Sequence, residues 1–387
     1  MSPPRIGLVT PHVGRNDGQG RVNYEIAHAA LDAGLQVTLC SGVCDADLRE
    51  RGAAWFALPT GPRRPKLAWS LRYGRAIGPT TRRAEAEAGP VDLWVGNGVG
   101  LDRPHAVNIA HFVHGAWGQS PWHPGRGRGV RALSQRWYTR MNARWERTAF
   151  GLADRVVAVS DATARELRDA GVTDRQMVTI PNGIDTAEFR PTNQTTAAAR
   201  PSLGLPAAGP VALFAGDLRS NRKNLDTVLA ALVRVPNLHL AVAGDHRQSV
   251  YPARAQALGV ADRVSFLGHR RDTPELMRAC DFFVLPSRYD TFGLVVLEAM
   301  ASGLPVVTSR RTGAASIVEE AGAGWVLEDQ EDADACARML RELTEDPDVR
   351  GDMGRRARHA AERHDWSAMA DAYVALFKDL LQRGQAA

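Results

Sequence analysis

One pattern limits the folds open to this chain more than any other. Short apolar runs alternate with stretches of helical periodicity, and the alternation runs twice, on either side of a proline-studded break. Residues 5–10 read as a buried parallel strand, residues 11–20 as a glycine-bearing loop, residues 21–33 as a helix with Val22, Ile26, Ala29 and Ala30 on one face, and residues 35–40 as a second strand. Strand, loop, helix, strand is the βαβ unit. The pattern predicts further strands over 91–95, 106–110, 155–159 and 176–180, and helices over 131–149 and 162–170. Pro191, Pro201, Pro206 and Pro210 then break the series, and residues 190–210 read as a linker. It resumes with strands over 211–215, 239–243, 264–267, 281–285 and 304–308, and helices over 225–232, 275–280, 293–302, 333–343 and 366–381. A chain of 387 residues suits two such domains. The expected fold class is therefore α/β, with two doubly wound Rossmann-like parallel-sheet domains over 1–190 and 191–365. Ligands belong beyond the carboxyl ends of the strands, in the crevice between the domains.

Composition removes several classes. At 44% hydrophobic and 24% charged residues the chain is neither disordered nor fibrous. Cys40, Cys44, Cys280 and Cys336 are too few for a disulfide scaffold, and no second pair completes a zinc site. Reduced thiols point to the cytoplasm. No apolar run reaches the roughly 20 residues of a membrane span, and the N-terminus does not read as a signal peptide. Residues 1–190 hold 25 of the 48 basic and 18 of the 43 acidic residues, a net +7 against −2 for the remainder. That asymmetry suits an anionic partner for the first half, such as a phosphorylated acceptor or the inner membrane face in peripheral contact; the competing reading is an arginine-rich composition without a partner. No nucleic-acid-binding signature is present.

The segment Pro286-Ser-Arg-Tyr-Asp-Thr-Phe-Gly-Leu-Val-Val-Leu-Glu298 puts Asp290 in the loop after a strand and Glu298 inside the following helix. A carboxylate in apolar surroundings is costly without strong hydrogen bonds. Two vicinal ribose hydroxyls would supply them; a structural carboxylate capping a neighbouring loop is the alternative. The backbone N–H groups of Thr291, Phe292, Gly293 and Leu294 stand at a helix start, where an anion is stabilised. Gly18 and Gly20 with Asn23 make only G-x-G-x-x-N, a weak dinucleotide signal; they read as a close backbone approach to ligand, or as a plain turn. His111 and His114 follow the strand over 106–110, with no third metal ligand evident. Trp117, Trp122, Trp137 and Trp145 crowd together with Arg126, Arg128, Arg131, Arg136 and Arg140. Trp137 and Trp145 read as core, and the loop 117–128 as an acceptor- or membrane-facing surface.

Asp290-x7-Glu298 followed by Ala-Met-Ala-Ser-Gly-Leu-Pro-Val-Val resembles the E-x7-E region of the retaining family-4 (group 1) glycosyltransferases of the GT-B fold. Other segments resemble that family in the same order. They are Gly18-Gln-Gly20, the 156–160 strand with Ile180-Pro-Asn-Gly-Ile-Asp185, Gly216-Asp-Leu-Arg-Ser-Asn-Arg-Lys223, and Val264-Ser-Phe-Leu-Gly268-His269. The likeness covers nearly the whole chain. It departs at Asp290, where Glu is usual; at Asp217, where Arg is frequent, leaving Arg219 as a substitute; and at Ser316, where Glu often stands.

The resemblance implies a retaining enzyme that moves a sugar from a nucleoside-diphosphate donor to an acceptor hydroxyl without a metal or cofactor. The donor would be a UDP or GDP sugar; the acceptor a glycan, a lipid-linked sugar or a small metabolite. Arg222, Lys223, Asp290 and His114 would carry catalysis. Gly216 and Arg219 would meet the diphosphate, Gly268 and His269 the base, Thr291 to Leu294 the donor, and Glu298 the ribose. Gly18 and Gly20 would approach the donor diphosphate and the acceptor. Residues 1–190 would bind acceptor, with the helix over 366–387 packed back on them, and 191–365 would bind donor. The departing phosphate would take the acceptor's proton. A nucleotide-sugar 2-epimerase and a non-catalytic nucleotide-sugar-binding protein share the architecture and remain open.

Overall fold

The computed structural model describes residues 2–15, 17–59, 66–192 and 199–386. The chain divides into two units, residues 1–183 with 366–387, and residues 184–365. The first contains strands β1 (Arg5–Val13), β2 (Gln36–Cys44), β3 (Ala54–Ala57), β4 (Leu93–Asn97), β5 (His105–Ala110), β6 (Ala153–Ala158) and β7 (Met177–Thr179). Its helices are α1 (Gly18–Asp32), α2 (Ala46–Glu50), α3 (Lys66–Ala88), α4 (His114–Gln119), α5 (Val130–Gly151) and α6 (Asp161–Asp169). The sheet runs β3-β2-β1-β4-β5-β6-β7, and every recorded pairing is parallel.

The second unit contains β8 (Val211–Ala215), β9 (His239–Ala243), β10 (Val264–Gly268), β11 (Phe282–Leu285), β12 (Val306–Ser309) and β13 (Gly324–Leu327). Its helices are α7 (Leu225–Leu232), α8 (Tyr251–Ala257), α9 (Thr273–Ala279), α10 (Leu294–Ala301), α11 (Ala315–Glu320), α12 (Ala333–Glu345) and α13 (Pro347–Glu362). The order is β10-β9-β8-β11-β12-β13, again parallel. Both faces of such sheets are covered, so the central strands are apolar throughout: every residue of β8 and β11 is buried. Helix α14 (Trp366–Ala386) packs on α1 in the first unit, with Tyr373 and Phe377 fully buried.

Each sheet reverses its strand order once, between β1 and β4 and between β8 and β11. Such switch points open a crevice at the strands' carboxyl ends, where doubly wound folds take ligands.

Three local expectations change. Gly18 and Gly20 are not in a loop: β1 extends to Val13, and α1 starts at Gly18 with Asp17 accepting a hydrogen bond from the Gly20 amide at 2.6 Å. The division between the units falls at Gly183–Ile184 rather than after Arg190. The Ile184 amide donates to the His364 carbonyl, and Arg358 holds the Thr186 and Phe189 carbonyls, so residues 184–190 belong to the second unit. Part of the expected linker is also docked. Buried Arg200 donates to the Ala279 and Gly209 carbonyls and pairs with Asp281 at 2.8 Å. Residues 193–198 of that stretch lie outside the described residues.

Candidate active site

At the second unit's switch point, Gly216 ends the buried run of β8. A Cβ there would stand 3.0 Å from Lys223 Cγ, so the missing side chain makes room for the lysine stem. Residues 221–223 form a 3-10 turn closed by Asn224, whose φ of 61° is the only positive value for a non-glycine among the described residues. Asn224 keeps that conformation by capping α7: its Oδ1 accepts from Thr227, and its Nδ2 donates to the Gln330 carbonyl at 2.7 Å.

The loop after β11 is fastened to this turn by Arg288. Its amide donates to the Arg222 carbonyl at 2.8 Å, and its buried guanidinium bonds the Asn221 carbonyl, Asp226 and, bidentately, Glu331. Asp290 follows, and Lys223 Nζ donates to its Oδ2. Burial works against the Asp290 carboxylate, yet the Lys223 and Arg222 cations outweigh it and hold its pKa below the usual aspartate range. The Asp290 and Phe292 backbones are stitched to residues 311–314, and a Cβ on Gly313 would fall 2.0 Å from the Thr291 carbonyl oxygen. Gly293, at φ 85°, then turns the chain into α10. Leu294 starts the helix, and Thr291 and buried Phe292 precede it. Glu298 sits one turn on. Burial, with Glu188 nearby, pushes its pKa up to about 7.

The structure thus gathers Gly216, Lys223, Asp290 and residues 291–294 at one strand edge, with Arg222 close enough to act on Asp290. Arg219 stands apart: its exposed guanidinium is taken by Asp217 at 2.9 Å. Gly268, at φ 72°, gives its carbonyl to the Gly244 amide, and His269 is exposed.

The first unit holds a cavity of about 670 Å3 at its own switch point. His111 and His114 both line it, as do Asp17 and Gln19. Gly20 instead faces β1: a Cβ would stand 2.5 Å from His12 Nδ1. His114 starts α4 and is gripped twice by buried Glu146 of α5. One carboxylate oxygen accepts its amide at 2.8 Å, and the other meets ring Nδ1 at 2.5 Å. That leaves Nε2 as the ring nitrogen for a ligand. Trp145 lines the cavity rather than a closed core, and Trp137 is 62% exposed, because the inner face of α5 is filled by Ala132, Thr139, Asn142, Glu146, Ala149 and Phe150.

Two family signatures match nearly end to end: glycosyltransferase family 4 over residues 16–188, and glycosyl transferases group 1 over residues 196–360. The chain belongs to the family-4, group 1 glycosyltransferases. Among relatives of this glycosyltransferase family member, the D-inositol 3-phosphate glycosyltransferase of Stackebrandtia nassauensis is 33% identical over 249 residues, covering 60% of this chain and 55% of the relative. That of Thermobispora bispora is 35% identical over 255 residues, covering 62% and 59%. The matched stretch spans little more than half of these curated relatives. The sucrose-phosphate synthase of Thermosynechococcus elongatus superposes with a TM-score of 0.80 at 22% identity over 98% of this chain and 100% of that one. Anabaena HepE in complex with UDP and glucose gives 0.70 at 21% identity over 97% and 100%. These structures share the GT-B fold with this glycosyltransferase family member.

Sequence reasoning missed Glu146 and Arg288. Glu146 carried a signal, being the only acid between Asp102 and Asp154 in an arginine-rich stretch. Arg288 carried none, since its partners Asp226 and Glu331 are distant in sequence.

A pH test follows from His111, whose burial pushes its pKa down to about 4. The unfolded chain then binds the proton more readily between about 6.5 and 4. The first unit should lose up to about 3 kcal/mol as pH falls through that window. His111→Asn should flatten this slope in thermal melts recorded across it.

Proposed function

We propose that the chain is a retaining glycosyltransferase that moves a sugar from a nucleoside-diphosphate donor to an acceptor hydroxyl. The observation that carries this reading is the Lys223–Asp290 pair, with Arg222 beside it, across the β8/β11 switch point. Breaking the bond between the anomeric carbon and the phosphate oxygen leaves an extra negative charge on the diphosphate. One cation about 4 Å away contributes roughly 4 kcal/mol at an effective dielectric of 20. Lys223 is fixed in place by Asp290 before the reaction, with Arg222 close enough to act on the same carboxylate, and such preorganisation is what makes these charges effective. With two cations in that role, the step calls for no metal.

In this reading Asp290 holds hydroxyls of the transferred sugar, Glu298 the ribose, and residues 267–270 the base. Gly216 and the 291–294 amides approach the diphosphate. Asp217 keeps Arg219 from that task. The acceptor oxygen bonds to the anomeric carbon on the face the leaving group departs from, and its proton passes to the departing phosphate oxygen. His114, oriented by Glu146, offers Nε2 to a sugar hydroxyl in the first unit's cavity. The D-inositol 3-phosphate in the relatives' name fits that cavity poorly. Among its described lining residues Arg75 is the only lysine or arginine, against Asp17, Asp102 and Glu146. Trp145 and Tyr138 suit the apolar face of a neutral ring.

A panel of UDP, GDP and ADP sugars, followed by mass spectrometry with and without neutral polyhydroxylated acceptors, tests the proposal. Nucleotide release should rise with acceptor, persist in EDTA, and be weaker with inositol 3-phosphate. Donor isomerised without acceptor would replace the reading with an epimerase. Binding without turnover would replace it with a binding protein.

A further inference from the structure

The first half of helix α5 turns its large apolar residues outward. The buried residues of the helix are Ala132, Thr139, Asn142 and Glu146, with Ala149 and Phe150 at its end, whereas Val130, Leu133 and Trp137 project outward, 86%, 51% and 62% exposed. Their spacing of three and four residues puts them on one side of the helix. They are half of the six exposed large hydrophobic residues recorded for the described chain. Ordinary packing would turn such residues inward.

Around this stripe the charge has one sign. Arg126, Arg128, Arg131, Arg136, Arg140, Arg144 and Arg147 are all exposed, and the only acid in this stretch, Glu146, is buried under His114. A hollow of about 380 Å3 beside the stripe is lined by Arg126, Arg136 and Arg140, with His123 at its side. Arg126 is held by the Gln119 and Ser120 carbonyls, and the guanidiniums of Arg136 and Arg140 suit a phosphate group.

We propose that this face of α5 docks on an anionic lipid bilayer. Trp137, Leu133 and Val130 enter the headgroup boundary, and Arg136 and Arg140 meet lipid phosphates. A cationic surface helix with Trp and Leu on its outer face lies in the plane of such an interface, held by apolar area and by charge together. The charge complementarity favours anionic lipid over a second copy of the chain, which would bring its own seven arginines to the contact.

Sedimentation of the full chain with vesicles tests this without reference to the donor chemistry. Vesicles of phosphatidylcholine and phosphatidylglycerol in equal parts should carry the protein down at low salt and release it at high salt. Phosphatidylcholine alone should not bind. Trp137→Glu should abolish binding, and the double variant Arg136→Glu/Arg140→Glu should weaken it at least tenfold. Both change exposed side chains, so their melting curves should match the parent's. Failure to bind the mixed vesicles, or equal binding to the neutral ones, would overturn the proposal. So would a dimer in sedimentation velocity that Trp137→Glu dissociates, since a second copy would then cover the face.

Discussion

Lys223→Met should slow sugar transfer by at least about 100-fold, the usual cost of removing one preorganised group that meets charge developing in a transition state. The same change removes the partner of a buried carboxylate. Asp290 is then left with Arg222 alone, and the second unit should lose about 3 kcal/mol of stability near neutral pH. The double variant Lys223→Met/Asp290→Asn separates the two effects. Without a buried charge it should recover much of the stability, yet transfer should stay as low as in the single variant. The sign with pH is fixed as well. Asp290 has a depressed pKa in the fold, so the ion pair stabilises above the ordinary aspartate range and ceases to do so as pH falls below it. The stability gap between Lys223→Met and the parent should close in acid. Recovery of activity along with stability in the double variant would make the pair a structural feature.

Glu298→Gln should weaken nucleoside-diphosphate binding about tenfold above pH 7 and far less below pH 5. Burial pushes the Glu298 pKa up to about 7, so the carboxyl is neutral in the free protein below that value. Only the carboxylate accepts from both ribose hydroxyls at once, and hydrogen bonds to a charged group contribute about 1.5 to 3 kcal/mol. Affinity of the parent should therefore rise as pH passes through 7, while that of the variant stays flat. Stability moves the other way. The native state holds the proton more tightly than the unfolded chain between about 4.5 and 7, so stability falls as pH rises through that window. Glu298→Gln removes this loss, about 2 to 3 kcal/mol, and should melt higher than the parent at pH 8. Calorimetric titration with UDP and GDP at both pH values, beside melting curves, reads the two effects separately.

The sheets were legible because their strands are buried on both faces. Runs such as Val211–Ala215 and Phe282–Leu285 leave no other assignment, and the alternation with helices forces parallel order. What escaped was structure whose signal is weak or tertiary. Strand β3 has only four residues, and α3 carries Gly74, Gly78 and Pro79 within a helix. Helix α4 has six residues and no side-chain cap to announce it. In the site, Lys223, Asp290 and Glu298 were legible as types at a spacing. Their arrangement was not, since it depends on Arg288 tying the 221–223 turn to the loop after β11, and on Gly313 letting residues 311–314 lie against Thr291. Trp137 was misread because a large aromatic on a helix normally faces inward, as Phe150 of α5 does, whereas the buried residues on either side of Trp137 are Ala132, Thr139 and Asn142. Arg219 takes the place of an absent arginine by spacing alone; that its exposed guanidinium pairs with the Asp217 carboxylate two residues earlier carried no signal in the sequence.

Transfer with retention at the Lys223–Asp290 centre is read most directly from the proton NMR spectrum of the product formed from an α-linked nucleotide sugar with an equatorial C2 hydroxyl and a neutral hydroxylated acceptor. An α-linked product with a small anomeric coupling is expected, absent when the Lys223→Met protein is used. A β-linked product, or an α-linked product formed as quickly by that variant, would contradict it.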